Sequence, residues 1–205
     1  MKIILSALIL LSFTNCTTKE VDAQHLFYLH GRIIELQGIQ AVSPQFGPYE
    51  YEKIIDSLRT ITSNIHAEVR KDPVDFFAFC TRVSREIDRL ISEGVEPQNI
   101  TVLGASKGAV MAMQISHDNP NPINYVLLAA NNDAIERTND WSLNGRVLGI
   151  YETSDQLAGK NYDYWVARSE QTLTFEQIKL NTGLGHGFIY QPLSEWLEPL
   201  KKWMQ

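Results

Sequence analysis

Residues 104 to 108 read Gly-Ala-Ser-Lys-Gly, between the strand-like run Ile100-Thr101-Val102-Leu103 and the helix-like run Ala109-Val110-Met111-Ala112-Met113. A G-x-S-x-G pentapeptide in that setting turns sharply enough to lift the serine hydroxyl clear of the backbone, where it can act as a nucleophile. Gly104 and Gly108 leave room for so tight a turn. Ser106 also opens a helix, and the free N–H groups there favour developing negative charge. A pattern fixed at three positions arises by chance as well, so its strand-before, helix-after context carries the argument.

A serine hydroxyl is a weak nucleophile until a base takes its proton, and the base needs an acid to hold its tautomer. In a parallel sheet such groups collect on loops beyond the C-terminal ends of strands. After the apolar run Val147 to Tyr151 comes Glu152-Thr153-Ser154-Asp155, and after Phe175 to Leu180 comes Asn181-Thr182-Gly183-Leu184-Gly185-His186-Gly187. His186 is the candidate base, against the plain reading of a turn histidine. His25, His66 and His117 have no comparable setting and read as surface or packing residues. Asp155 is the favoured acid, with Asp133 and Glu152 as alternatives; a helix cap or an ion pair is the ordinary role of each. Acyl transfer further needs donors for an oxyanion. The backbone N–H of Lys107 is one candidate, and the N–H of Arg32, behind His30-Gly31 in the first core loop, is the other.

These groups need a scaffold, and the hydrophobic periodicity supplies one. Leu26 to Leu29 is a short buried strand; Ile54, Ile55, Leu58 and Ile61 mark a helix over Tyr51 to Ile61; Ile65 to Val69 is a weak strand. Pro73 opens a long helix with Phe76, Phe77, Phe79, Cys80, Val83, Ile87, Leu90 and Ile91 inward, ending at Gly94. Tyr125 to Ala130 is a further strand, and Tyr162 to Ser169 and Leu193 to Met204 are helices. Buried strands alternating with helices predict an α/β fold, a three-layer α/β/α sandwich on a mainly parallel sheet of about six strands.

The N-terminus reads as a signal peptide over residues 1–15: Lys2, then an apolar run from Ile3 to Leu11 that is too short to span a bilayer permanently. Cys16 behind it resembles the lipidation site of bacterial lipoproteins, although Phe13 and Asn15 depart from that motif. The resemblance implies an extracytoplasmic protein held to a membrane by a lipid on Cys16, with 16–24 as a polar tether and 25–205 as the folded domain. Ordinary secretory cleavage, giving a soluble secreted or periplasmic protein, and an uncleaved anchor are the alternatives. Cys80, inside Phe76-Phe77-Ala78-Phe79, reads as a buried inert thiol, and no disulfide is expected. A net charge of −6 without a basic cluster argues against nucleic acid or anionic lipid as a partner. The absence of a His/Cys/Asp cluster at ligand spacing predicts neither metal nor cofactor.

From Leu26 to Trp203 the chain resembles the α/β-hydrolase superfamily, in particular its small esterase-like and dienelactone-hydrolase-like members. The resemblance rests on Leu29-His30-Gly31, Gly104-Ala105-Ser106-Lys107-Gly108, Asp155 and Gly185-His186-Gly187, in that order. It implies a serine hydrolase acting on the ester or similar acyl bond of a small molecule through Ser106, His186, Asp155 and an acyl-enzyme. Thr17 to Gln24 leaves no room for the family's usual first hairpin, and Asn131 to Arg146 is too short for a domain-sized lid, so the expectation is a minimal core with an open site. Arg32 departs from the glycine many carboxylesterases have there; its guanidinium either meets a substrate carboxylate or phosphate, or pairs with Glu35, or is simply solvated. The Lys107 side chain is expected in solvent. Phe46, Tyr49 and Tyr51 either wall a pocket or cover the sheet. Peptidase, thioesterase and acyltransferase chemistry stay open within the class, and a noncatalytic binding or scaffolding lipoprotein is the alternative outside it.

Overall fold

The structure, a computed structural model, describes residues 23–205. The expected signal peptide, Cys16 and the tether as far as residue 22 lie outside the described residues. Strand β1 (His25–Leu29) leads through a short helix α1 (Arg32–Gln37) to a two-residue ladder of β2 (Val42–Ser43) with β3 (Gly47–Pro48). Helix α2 (Tyr51–Arg59) and strand β4 (Asn64–His66) follow, and α3 (Phe76–Ser92) returns the chain to β5 (Ile100–Ala105). The remainder alternates: α4 (Lys107–Asp118), β6 (Asn124–Leu128), α5 (Asp133–Thr138), β7 (Gly145–Glu152), α6 (Asp163–Arg168), β8 (Thr172–Leu180) and α7 (Ser194–Trp203).

Six strands form one sheet in the order β4-β1-β5-β6-β7-β8, and every pairing is parallel. The period of two along each strand builds the layers. Leu26 and Tyr28 of β1, Leu103 and Ala105 of β5, and Val126 and Leu128 of β6 face a layer closed by Ile54 and Leu58 of α2 and Trp196 and Leu200 of α7. Their neighbours Phe27, Leu29, Val102, Tyr125 and Leu127 face the opposite layer, closed by α3 and α4. Because β1 is followed in space by β4 on one side and β5 on the other, the order reverses at β1, and ligand crevices open at such a switch point.

The long helix starts later than the sequence predicts. Asp75 caps it, its carboxylate accepting from the Ala78 N–H at 3.0 Å, and Pro73 stays outside. The buried stripe runs through Phe79, Cys80, Val83, Ile87 and Leu90, and at 100° per residue Phe77 falls on the far side, 66% exposed rather than inward. Strand β4 is shorter than the expected Ile65 to Val69, because beyond His66 the chain leaves the sheet and carries Arg70 into the interior. The stretch after Gly31, read as part of the first core loop, is the helix α1. Cys80 is free and buried, and burial pushes its thiol pKa up to about 12.

Candidate active site

Strand β5 ends at Ala105 and helix α4 begins at Lys107, so Ser106 alone makes the turn, at φ 53° and ψ −120°. A left-handed φ on a residue with a side chain costs of order 1–3 kcal/mol, and the surrounding packing must enforce it. Gly104 and Gly108 permit that packing. A Cβ on Gly108 would lie 1.8 Å from the Leu29 carbonyl oxygen, and one on Gly104 would lie 2.4 Å from the Ala109 Cα. Both glycines therefore serve close approach of helix and strands. The turn leaves the Ser106 hydroxyl making no capping bond to α4, although serine at an N-cap ordinarily does.

The hydroxyl points instead to His186. Ser106 Oγ lies 2.9 Å from His186 Nε2, and His186 Nδ1 lies 2.7 Å from Asp155 Oδ2. His186 sits in a 3-10 segment, Gly185–Tyr190, after β8, and Asp155 sits in the turn after β7. The other Asp155 oxygen, Oδ1, accepts from the Leu157 and Ala158 N–H groups at 2.8 and 3.1 Å. Burial alone would raise the Asp155 pKa, but the hydrogen bonds from His186 and from these two amides outweigh it and hold the carboxyl below its ordinary range. An ionised Asp155 places the imidazole proton on Nδ1 and leaves Nε2 free to accept from Ser106.

The two alternative acids are engaged elsewhere. Asp133 is exposed on α5 and pairs with Lys160 at 2.7 Å. Glu152 is buried and accepts from the Thr182 N–H and hydroxyl, both at 2.7 Å, and from Ser154, so it braces the loops that carry Asp155 and His186. Burial would raise its pKa as well, but these hydrogen bonds lower it.

Beside Ser106, Gly31 approaches so closely that a Cβ there would touch the Ser106 Cβ at 3.5 Å. The N–H groups of Arg32 and Lys107 make no hydrogen bond among the described residues. One side-chain expectation is corrected here and one alternative is decided. Lys107 turns back to pair with Glu35 instead of extending into solvent, and of the readings open for Arg32 the pairing with Glu35 is not made. The Glu35 carboxylate is fully buried, and it accepts from Arg70 Nε at 2.9 Å through one oxygen and from Lys107 Nζ through the other. Arg32 is exposed. Burial would raise the Glu35 pKa, but the bonds from Lys107 and Arg70 override it, so Glu35 is anionic.

Arg70 was not singled out by its sequence context, yet it is 2% exposed. Its Nη2 donates to the His30 carbonyl, and its own N–H donates to His30 Nε2 at 2.9 Å. That fixes the His30 proton on Nδ1, which donates to the Gly31 carbonyl at 2.9 Å. Burial and then the Arg70 charge lower the His30 pKa to about 4, so this ring is neutral at pH 7.

A cleft of about 380 Å³ opens over His186, lined by Gln45, Phe46, Gln156, Leu157 and Leu184 among others. Phe46 stands in its wall with its ring centroid 6.1 Å from that of His186, whereas Tyr49 and Tyr51 are buried over the sheet. A groove of about 700 Å³ between α2 and β4 holds no member of the Ser106–His186–Asp155 chain. Among the described residues no group of three or more potential ligands could hold a metal ion, and no helix is long and apolar enough to cross a membrane.

No family model matches the chain, and no curated protein matches it. Solved structures do. SOBER1 from Arabidopsis thaliana is similar over 88% of this chain and 97% of its own, with a TM-score of 0.55 and 16% identity. The esterase Pf2001 from Pyrococcus furiosus is similar over 89% and 82%, with a TM-score of 0.60 and 11% identity. A third structure, from Pectobacterium atrosepticum and described as YdeN-like, covers 90% and 93% with a TM-score of 0.59 and 15% identity. At such identities the likeness is one of fold, and the fold of this chain is that of the α/β-hydrolases.

Proposed function

We propose that the protein is a serine hydrolase that cleaves an ester or related acyl bond of a small molecule by way of an acyl-enzyme. The observation that carries this reading is the unbroken hydrogen-bonded chain from Ser106 Oγ through His186 to Asp155 beside a solvent-open cleft. Ser106 attacks the carbonyl carbon as His186 Nε2 takes its proton, and the ionised Asp155 stabilises the imidazolium so formed. The carbonyl oxygen, now negative, accepts from the N–H groups of Arg32 and Lys107; removing one such donor typically costs about 3 kcal/mol of transition-state stabilisation. His186 then returns the proton to the leaving group. Water, deprotonated by the same nitrogen, attacks the acyl-Ser106 ester and frees the acid. The chemistry asks for no metal or cofactor. We further propose that the domain works outside the cytoplasm, tethered through a lipid on Cys16.

The test is intact-mass spectrometry of the folded protein after exposure to a fluorophosphonate, beside Ser106→Ala. A single adduct on Ser106, absent from a variant that stays folded and loses turnover, is the expected result. An unmodified wild type, or equal activity in Ser106→Ala, refutes the mechanism and leaves the binding-protein alternative.

A further inference from the structure

The two proposed oxyanion donors come from different helices, and among the described residues no backbone hydrogen bond joins the two. The Arg32 N–H opens α1 and the Lys107 N–H opens α4. Their separation has to match one oxygen atom, and a misplacement of about 1 Å at such a site costs on the order of 100-fold in rate. Something must therefore hold one helix start against the other.

Resting on the hydrolase reading above, we propose that the ion pair between Glu35 and Lys107, clamped from behind by Arg70, sets the spacing of the two oxyanion donors, making Glu35, Lys107 and Arg70 positioning residues of the reaction. Glu35 lies one turn beyond Arg32 on α1, and the Lys107 side chain belongs to the very residue whose N–H is the second donor. A turn of helix is rigid, so joining Glu35 to Lys107 joins the two N–H groups. Arg70 holds the same carboxylate at 2.9 Å and also bonds the His30 carbonyl, just ahead of the Gly31–Arg32 peptide. Its backbone N–H seats the His30 ring, whose Nδ1 holds the Gly31 carbonyl at 2.9 Å. The loop is thus gripped on both sides of Gly31. Helix α1 has six residues, of which Ile34 and Glu35 are buried, and the Asp72 N–H, two residues beyond Arg70, bonds the Glu35 carbonyl at 3.2 Å, so the Arg70 segment grips α1 through its backbone as well.

The cluster has two cations on one anion, a net charge of +1, and this separates spacing from simple field stabilisation. Glu35→Gln raises the cluster charge and Lys107→Met lowers it, while both weaken the tie, the first by leaving one acceptor oxygen where two cations bonded and the second by removing a cation. A field effect shifts the rates in opposite directions; a spacing effect lowers both.

The experiment measures kcat and KM for p-nitrophenyl acetate, the affinity for phenylboronic acid, and Tm, in wild type, Lys107→Met, Lys107→Arg and Glu35→Gln. Phenylboronic acid forms a tetrahedral adduct on a reactive serine and so reports on the oxyanion donors without turnover. Lys107→Met leaves Glu35 paired with Arg70 and removes a side chain that is 26% exposed, so it keeps the fold and carries the test by itself. The expected result is a kcat lower by about 10- to 100-fold with KM within threefold, on the scale of a misplaced catalytic group. Boronate affinity falls by a similar factor, and Lys107→Arg recovers most of both. A Lys107→Met protein within twofold of an active wild type in kcat and boronate affinity overturns this inference alone, as do opposite shifts in Lys107→Met and Glu35→Gln. A wild type that neither turns over the ester nor is labelled on Ser106 overturns the hydrolase reading and this inference with it.

Discussion

His30 makes stability depend on pH in a window where few other groups act. The folded state holds this ring neutral, with a pKa of about 4 against an ordinary 6.5, because it is buried and faces Arg70. The unfolded chain accepts a proton from about pH 6.5 downward while the folded state refuses it, so the contribution of His30 is whole above pH 6.5 and is lost as the pH falls towards 4. At about 1.4 kcal/mol per pH unit, the loss from pH 7 to pH 5 is about 2 kcal/mol. Glu35, Asp155 and Glu152 have lowered pKa values, so their contributions are present above the ordinary carboxylate range and fade only below it, outside this window. His25 and His66 are also lowered by burial and act in the same sense as His30, but they are common to wild type and variant and cancel in the difference. Urea unfolding of wild type and His30→Asn at pH 7, 6 and 5 reads the effect. The variant is less stable at pH 7, having lost the bonds to Gly31 and Arg70, but its stability falls by about 2 kcal/mol less between pH 7 and pH 5. Equal slopes, or a His30 ring that titrates above pH 6 in the folded protein by NMR, refute the reasoning.

Asp155→Asn removes the acceptor that holds the His186 tautomer and is expected to lower kcat on p-nitrophenyl acetate by about 10³- to 10⁴-fold, the scale for this position in Ser-His-Asp sites. Asp133→Asn, whose exposed carboxylate pairs with Lys160, leaves kcat within about twofold; the reverse ranking reassigns the acid. Gly108→Ala drives a methyl group to 1.8 Å from the Leu29 carbonyl oxygen, and no flexible side chain is there to give way. The expected loss is about 3 kcal/mol or more in urea unfolding, and a loss under about 1 kcal/mol shows that α4 can slide on the sheet. Cys16→Ser moves the full-length protein from the membrane to the soluble fraction if a lipid on that residue is its tether; unchanged fractionation removes that proposal.

The sheet was legible because its strands are short, apolar and set apart by helices, so pattern alone located β1, β5, β6, β7 and β8 within a few residues. Ser106, Asp155 and His186 were legible for a related reason: each follows a strand, and strand ends in a parallel sheet converge. Arg70 and Glu35 were not. They are 35 residues apart, and Glu35 and Lys107 are 72 apart, so no local spacing marks the cluster. A long-range ion pair looks in sequence like ordinary surface charge. Phe77 misled for the opposite reason, since a run of aromatic residues at a helix start conceals which of them the later stripe leaves outside. Local pattern even pointed the other way for Arg70: Ile65, Ala67 and Val69 keep alternating with polar residues past the end of β4 at His66, so the sequence reads as a longer edge strand.

Phe46 is at once a wall of the cleft and part of the mounting of the His186 ring. Its side chain packs against Gly187 at 3.3 Å from where a Cβ would sit, its ring lies 5.6 Å from Tyr190, and the same strap is fastened to the His186 segment by the Glu50 N–H on the Tyr190 carbonyl at 2.8 Å. Under the proposed hydrolase mechanism, substrate choice and proton transfer therefore share a part, and changes at this wall will be felt by the imidazole. A lineage that alters its substrate through Phe46 has to repack the base in the same step, with effects that do not add. Leu157 and Leu184, on the exposed rim and not packed beneath His186, are the places where specificity can drift first.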